Sequence, residues 1–176
     1  MGKIDISYAK AFYDGYENWI YKDVKASSTQ IYEHPVNQTI RVVDDKKIIE
    51  KILNQTSYTS SPEFPKYRIV YEANLDMSMF KSNGKLPGGL LFFYQDQLTC
   101  ATIQNFDPKK RYFVSTDQSA TYIREVDNST KKLYFLTVCN EIGQKFAYAQ
   151  CWGYTEDLTL VYHGSHTVMA PTNDSI

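Results

Sequence analysis

The sequence lacks a long apolar segment and a large charge of either sign. Its longest apolar run, residues 90–94, has five residues, whereas a membrane-spanning helix needs about 20. Nineteen basic and twenty acidic residues give a net charge of −1, so no strong field would gather nucleic acid or anionic lipid. We therefore expect no membrane span and no nucleic-acid partner.

Cysteine is scarce and follows no known pattern. Cys100, Cys139 and Cys151 are odd in number and match neither a metal-ligand spacing nor a disulfide framework. We expect at least one free thiol and no cofactor. Four N-x-[ST] sequons favour secretion, whereas residues 1–6 carry no apolar leader and, with the odd cysteine count, favour the cytoplasm. Both compartments stay open, as does the oligomeric state.

Short catalytic motifs are also missing. The sequence has no Gly-rich phosphate loop, no G-x-S-x-G elbow and no H-E-x-x-H. It is instead rich in aromatic residues, which make up 15% of the chain, with 15 tyrosines among them. A length of 176 residues with 43% hydrophobic residues fits a single domain around one main core.

Two helices are predicted in the first third of the chain. Residues 4–20 repeat apolar side chains at spacings of three and four, which indicates an amphipathic helix with an aromatic face. A short helix is expected over residues 45–53, capped by Asp44 or Asp45. We expect residues 1–65 to cover the structure that follows.

From residue 66 onward the hydrophobic period changes to two, and turn signals arrive about every ten residues. Without intervening helices, neighbouring strands should pair antiparallel. The expected fold is mainly β: an eight-stranded antiparallel up-and-down β-barrel over residues 66–164, followed by a flexible tail over residues 165–176. The predicted strands cover residues 66–80, 88–95, 98–105, 111–116, 121–126, 132–140, 145–154 and 157–163.

Turn positions predict which residues share a face of the barrel. A two-residue turn at Ile142 and Gly143 sets Leu136 opposite Ala149 and would turn the uncharged face inward. Alanines that face tyrosines there either leave room for a small ligand or belong to a filled core. The expected ligand-binding residues are Tyr71, Ile123, Tyr134, Leu136, Ala147, Ala149, Cys151 and Tyr162.

The candidates for chemistry are few. His163 and His166 would face each other if residues 164–165 formed a tight turn. Histidines that flank a surface turn are far commoner than chelating pairs, so we expect no metal. Glu125 has the inward parity, but its place opposite Lys132 favours an ion pair at the rim over a catalytic acid. No catalytic residue is assigned.

The outline resembles the lipocalin-type (calycin) barrels, with Trp19 near the end of a first helix and an eight-strand meander after it. Their opening G-x-W is absent because Gly15 and Trp19 are four residues apart, so the resemblance is one of topology. It implies a carrier that encloses a small hydrophobic or amphipathic molecule.

Two other functions stay open. One is an enzyme of the isomerase, lyase or dehydratase type, which would use the same cavity or a helix-covered sheet of the nuclear-transport-factor kind. The other is an interaction protein whose partner surface is an aromatic patch of the outer face. That patch would contain Tyr122, Phe135, Tyr148 and Trp152.

Overall fold

A computed structural model of the chain describes residues 40–56 and 67–171. The helix predicted over residues 4–20 lies outside these ranges. No helix in the described ranges is both long and apolar enough to cross a membrane. In chain order the elements are β1 (Ile40–Val42), α1 (Lys46–Gln55), β2 (Arg68–Asn74), a 3-10 turn (Met77–Met79), α2 (Gly88–Phe106), β3 (Val114–Tyr122), β4 (Lys132–Ile142), β5 (Phe146–Thr155) and β6 (Leu160–Met169).

The six described strands form one antiparallel sheet in the order β1-β2-β4-β5-β6-β3. Its edges are β1 and β3, which do not pair with each other, so the sheet is open. The prediction of a mainly β antiparallel protein with helices is confirmed. The closed eight-stranded barrel is not formed.

The largest difference from the prediction is α2. Residues 88–106 form one helix between Pro87 and Asp107, where two strands were expected over 88–95 and 98–105. Residues 97–104 of α2 are all buried, so the helix lacks the polar stripe that reveals a surface helix. Its Phe, Tyr and Thr residues resemble buried strands in sequence. Asp96 and Gln97, expected to form a turn, lie in its middle.

Other predicted elements are close to the observed ones. The helix expected over 45–53 is α1, and its N-cap Asp45 accepts a hydrogen bond from the Lys47 N–H at 2.9 Å. The strands expected over 132–140 and 145–154 are β4 and β5. The strand expected over 66–80 ends at Asn74, and β3 replaces the two strands expected over 111–126. The expected tail begins too early, because β6 continues to Met169.

The observed register between β4 and β5 places each β4 side chain on the face of the sheet opposite to the predicted one. Leu136 lies opposite Trp152 rather than Ala149, a shift of three residues. Ile142 pairs with Ala147, so the hairpin loop is longer than expected, and this alone would shift every β5 partner by four residues, an even number that leaves each β4 side chain on its predicted face. A β-bulge between Cys139 and Glu141 reduces the shift to three residues, and this odd number moves each side chain to the opposite face.

Both faces of the sheet carry buried side chains. We call the side that packs on α2 the α2 face and the side that packs on α1 the α1 face. The α2 face contributes Ile69, Tyr71, Ala73, Leu133, Phe135, Cys151 and Tyr162, which pack with Leu91, Tyr94 and Leu98 of the helix. The α1 face contributes Val70, Tyr134, Leu136, Val138, Trp152 and Tyr154, which pack with Ile52.

Candidate functional site

The middle of α2 carries the helix's only acidic or basic residue, Asp96. Its carboxylate is held from two sides: Ser115 Oγ donates to Oδ1 at 2.9 Å, and Gln97 Nε2 donates to Oδ2 at 2.9 Å. The side chain is 28% exposed. Asp96 is therefore an oriented carboxylate that solvent can reach, on a helix that is otherwise largely buried.

Asp96 lies on the line where β3 crosses α2, which we call the α2–β3 seam, opposite the start of β3. The Tyr122 ring packs on Gly88, where an added Cβ would lie 2.9 Å from the ring. Gln118 Nε2 donates to the carbonyl of Phe92 at 3.0 Å. These contacts and the Ser115–Asp96 bond show that β3 runs opposite to α2. Since β3 is an edge strand, the seam lies beside an open edge of the sheet.

Beneath Asp96 lies a buried imidazole. His166 of β6 is fully buried, with Nδ1 2.6 Å from Thr99 Oγ1 and Nε2 3.6 Å from Asp96 Oδ1. Burial lowers the pKa of His166, and the nearby charges of Asp96 and Asp117 oppose this shift without reversing it. The imidazole is therefore neutral near pH 7.

Cys100, one turn after Asp96, completes a cluster. One ligand atom each of Asp96, Cys100 and His166 lies within 4.8 Å of the other two. Burial raises the pKa of the Cys100 thiol, and the Asp96 charge acts in the same direction. Without a cation Cys100 is thus a neutral thiol and not a nucleophile.

Gln95 fixes the helix against the two strands beside the site. Its Nε2 donates to the carbonyls of Ser119 at 3.1 Å and Ser165 at 2.8 Å, and its Oε1 accepts the Tyr162 hydroxyl. Space for this amide exists only because residue 164 is glycine: an added Cβ would lie 2.6 Å from Gln95 Cδ. The next residue along the helix, Asp96, is therefore held at a defined position.

The eight residues predicted to bind a ligand do not surround one cavity, because α2 fills the concave side of the sheet. Tyr71, Cys151 and Tyr162 pack beneath α2, and Ala147 and Ala149 lie near its C-terminal half. Because β4 is reversed, Tyr134 and Leu136 lie on the α1 face, whereas Ile123, the residue after β3, is 43% exposed. A ligand-binding role for any of the eight stays a prediction.

The histidine pair that a tight turn at residues 164–165 would create is not formed. Residues 164–165 form no turn but continue β6, so neighbouring positions point to opposite faces. His163 stacks on Trp152 with ring centroids 5.0 Å apart, while His166 lies under α2. The two imidazoles thus have separate surroundings.

The predicted rim ion pair is also wrong. Glu125 pairs with Lys85 at 3.1 Å, and Lys132 pairs with the buried Glu72 at 3.0 Å. Glu125 has a 76% exposed side chain, so it does not face an interior.

The aromatic patch is not a single surface. Phe135 is fully buried under α2 and Trp152 is buried on the other face, while Tyr122 is 52% exposed.

The three cysteines are all buried and free. Burial raises the pKa of Cys151, as expected of an inert thiol.

Reasoning from the sequence did not bring Asp96, Cys100 and His166 together, because His166 was considered only as a partner of His163 and Asp96 was placed in a turn. A signal was present: Pro87, Gly88 and Gly89 are followed by 17 residues without proline or glycine and with Asp96 as the only charge. Proline is typical of helix starts. A lone charge in a long segment that is otherwise uncharged indicates a residue kept for a purpose other than solubility.

No protein-family model matches the sequence, and no curated protein matches it. Solved structures do share its fold. A hypothetical thioesterase from Streptococcus pneumoniae TIGR4, determined with coenzyme A, is 16% identical with a TM-score of 0.55, over 61% of this chain and 80% of that one. Zebra fish thioesterase superfamily member 2 is 17% identical with a TM-score of 0.56, over 71% and 97%.

A third structure covers more of the chain. The protein smu.793 from Streptococcus mutans UA159, bound to acetyl CoA, is 13% identical with a TM-score of 0.58, over 81% of this chain and 97% of that one. These likenesses show the fold, which is the hotdog fold of thioesterase-like proteins, with an antiparallel sheet curved around a central helix. The lipocalin-like barrel is therefore wrong, and with it the picture of a carrier whose ligand sits inside a barrel.

Proposed function

We propose that this chain binds acyl thioesters of coenzyme A and hydrolyses them, with Asp96 as the general base. The observation that carries the proposal is the position of Asp96, the only charge on α2, held by Ser115 and Gln97 at the open α2–β3 seam. The substrate class is supported by two structures of the same fold, one described with coenzyme A and one with acetyl CoA.

The proposed step needs one carboxylate and one water molecule. Asp96 removes a proton from the water, whose oxygen forms a bond to the thioester carbonyl carbon. The carbon–sulfur bond then breaks, and the departing thiolate takes up the proton that Asp96 holds, which restores the carboxylate. The products are a carboxylic acid and free coenzyme A. A positioned general base typically contributes about 10²- to 10⁴-fold to such a rate.

The surroundings of Asp96 suit this task. Exposed aromatic side chains lie toward the two ends of the seam: Tyr112 is 48% exposed and Tyr122 is 52% exposed. Aromatic rings that are half exposed offer apolar area to an acyl chain and stacking area to an adenine ring. We expect the substrate to lie along the seam, with its thioester beside Asp96.

The test is to measure release of free thiol from acetyl-CoA and longer acyl-CoA substrates. Asp96→Asn should lower kcat by about 10²- to 10⁴-fold, because the amide has the same shape and cannot take a proton. Glu125→Gln is the matched control and should leave kcat unchanged, since that carboxylate is an exposed surface group.

Ser115 is a positioning residue, and its variants refine the test. Ser115→Ala should lower kcat several-fold without changing KM, and Ser115→Thr should restore the rate because it keeps the hydroxyl. Failure of the wild type to release thiol from any acyl-CoA would overturn the hydrolytic function, as would an active Asp96→Asn variant. Binding of acetyl-CoA without turnover would point to a binding protein instead.

A further inference from the structure

We propose that Asp96, Cys100 and His166 form a three-ligand site for a thiophilic divalent cation of the Zn²⁺ class. Two ligands come from consecutive turns of α2 and the third from β6, and their ligand atoms lie within 4.8 Å of one another. This site shares Asp96 with the proposed function but is independent of it, because it requires no substrate.

The strongest support is an orphaned nitrogen. Thr99 Oγ1 lies 2.7 Å from the carbonyl of Gln95, the usual acceptor for a threonine hydroxyl within a helix. We assign the Thr99 proton to that carbonyl, so the 2.6 Å contact with His166 is made by an Nδ1–H donor. His166 Nε2 then carries a lone pair.

That lone pair points at another acceptor. His166 Nε2 is buried and has no hydrogen-bond partner among the described residues, and Asp96 Oδ1 is 3.6 Å away. A buried acceptor without a donor costs about 1–3 kcal/mol, and a facing carboxylate adds repulsion. A cation between the two atoms removes both penalties.

The donor set and the spacing indicate which cation fits. Zinc lies about 2.0–2.2 Å from carboxylate oxygen and imidazole nitrogen, so a tetrahedral oxygen–nitrogen pair is about 3.3–3.5 Å apart. The Asp96–His166 separation of 3.6 Å is close to this range. A set with one sulfur and one imidazole selects Zn²⁺ or Co²⁺ over Mg²⁺ and Ca²⁺.

Two further features suit this site to a cation: solvent can reach it, and the His166 imidazole is held in one orientation. The 28% exposure of the Asp96 side chain opens a path for the ion and for a water molecule as fourth ligand. The hydrogen bond from His166 Nδ1 to Thr99 fixes the ring orientation, as second partners of metal-binding histidines generally do.

The test is titration of the reduced, full-length protein with Co²⁺ alone, followed by displacement with Zn²⁺. A cysteine ligand should produce a sulfur-to-cobalt charge-transfer absorption with one equivalent bound. Cys100→Ala should abolish this absorption. His166→Gln removes a ligand and should weaken Co²⁺ binding by more than about 100-fold, which exceeds the effect of removing only a hydrogen-bond partner of a ligand. Cys151→Ala is the matched control, a buried free cysteine outside the cluster, and should keep the full absorption.

The outcomes separate this proposal from the proposed function. Absence of the charge-transfer absorption in the wild type would overturn the metal site without involving any variant's folding. Its persistence in a folded Cys100→Ala protein would overturn it as well. Thiol release from acyl-CoA is measured separately on the chelator-treated wild type. Thiol release without cobalt absorption would support hydrolysis and overturn the metal site. Cobalt absorption without thiol release would support the metal site and overturn hydrolysis.

Discussion

The α2 face of the sheet buries neutral polar side chains, whereas the buried side chains in the described part of the α1 face are apolar or aromatic apart from Glu72 at its rim. Under α2, Gln95, Thr99, Thr102 and His166 are all fully buried. Buried polar groups are tolerated when each finds a partner, and then they fix one arrangement of the elements. The α1 face thus supplies stability by packing, while the α2 face also sets the position of Asp96.

Removing the space for Gln95 should give the largest effect. Gly164→Ala would place a Cβ 2.6 Å from Gln95 Cδ, so the helix must move or the amide must lose its bonds to β3 and β6. Overpacking together with lost hydrogen bonds predicts a loss of about 4 kcal/mol in the free energy of unfolding. Urea unfolding followed by circular dichroism measures it.

Two variants test the cause of this loss. Gly89→Ala meets no atom within 4 Å and should be neutral or stabilising by up to about 1 kcal/mol, because alanine favours a helix. Adding Gln95→Ala to Gly164→Ala should recover part of the loss, since the Gln95 amide no longer meets the added Cβ, while the Ser119 carbonyl oxygen at 2.5 Å still does. Strictly additive effects of the two substitutions would contradict the assigned contact.

A truncation on the α1 face should have the next largest effect. Leu136 is fully buried there with Val70 and Trp152, so Leu136→Ala should cost about 3 kcal/mol. Leu136→Met, which conserves volume, should cost less than about 1.5 kcal/mol. Neither should change the cobalt absorption of the Asp96 cluster. A parallel loss of that absorption would show that the two faces are not independent.

This contrast explains how much could be predicted from the sequence. Helix α1 and strands β4 and β5 have one regular apolar pattern each, and their positions were predicted to within a few residues. Helix α2 could not be recognised because polar side chains such as Gln95 and Thr102 face the sheet, which removes the amphipathic signal. The face of β4 was wrong because a single bulge reverses parity. The Asp96 cluster was not predicted because two of its three residues lie on α2.

A single buried hydroxyl should show a smaller effect specific to the α2 face. Thr102 Oγ1 donates to the carbonyl of Leu98 at 2.8 Å and lies 2.6 Å from Thr137 Oγ1 and 3.1 Å from the Tyr71 hydroxyl. Thr102→Val keeps the shape but removes these bonds, for an expected loss of about 1–2 kcal/mol. Thr121→Val, at an exposed position of β3, should be close to neutral in the same unfolding experiment.

The smallest effect concerns the charged rim of the α1 face and depends on pH. Burial acts to raise the pKa of Glu72, but hydrogen bonds from Arg41 at 2.9 Å and Lys132 at 3.0 Å lower it below its ordinary value of 4.5. A carboxyl group with a lowered pKa stabilises the fold above the unfolded value and loses that contribution as the pH falls through the folded value. Glu72→Gln should therefore melt slightly below the wild type at pH 7, and the gap should close below pH 4.5. Since Arg41 is 69% exposed, salt should narrow the gap at pH 7. A gap that persists unchanged into acid would mean that Glu72 acts through packing and not through its charge.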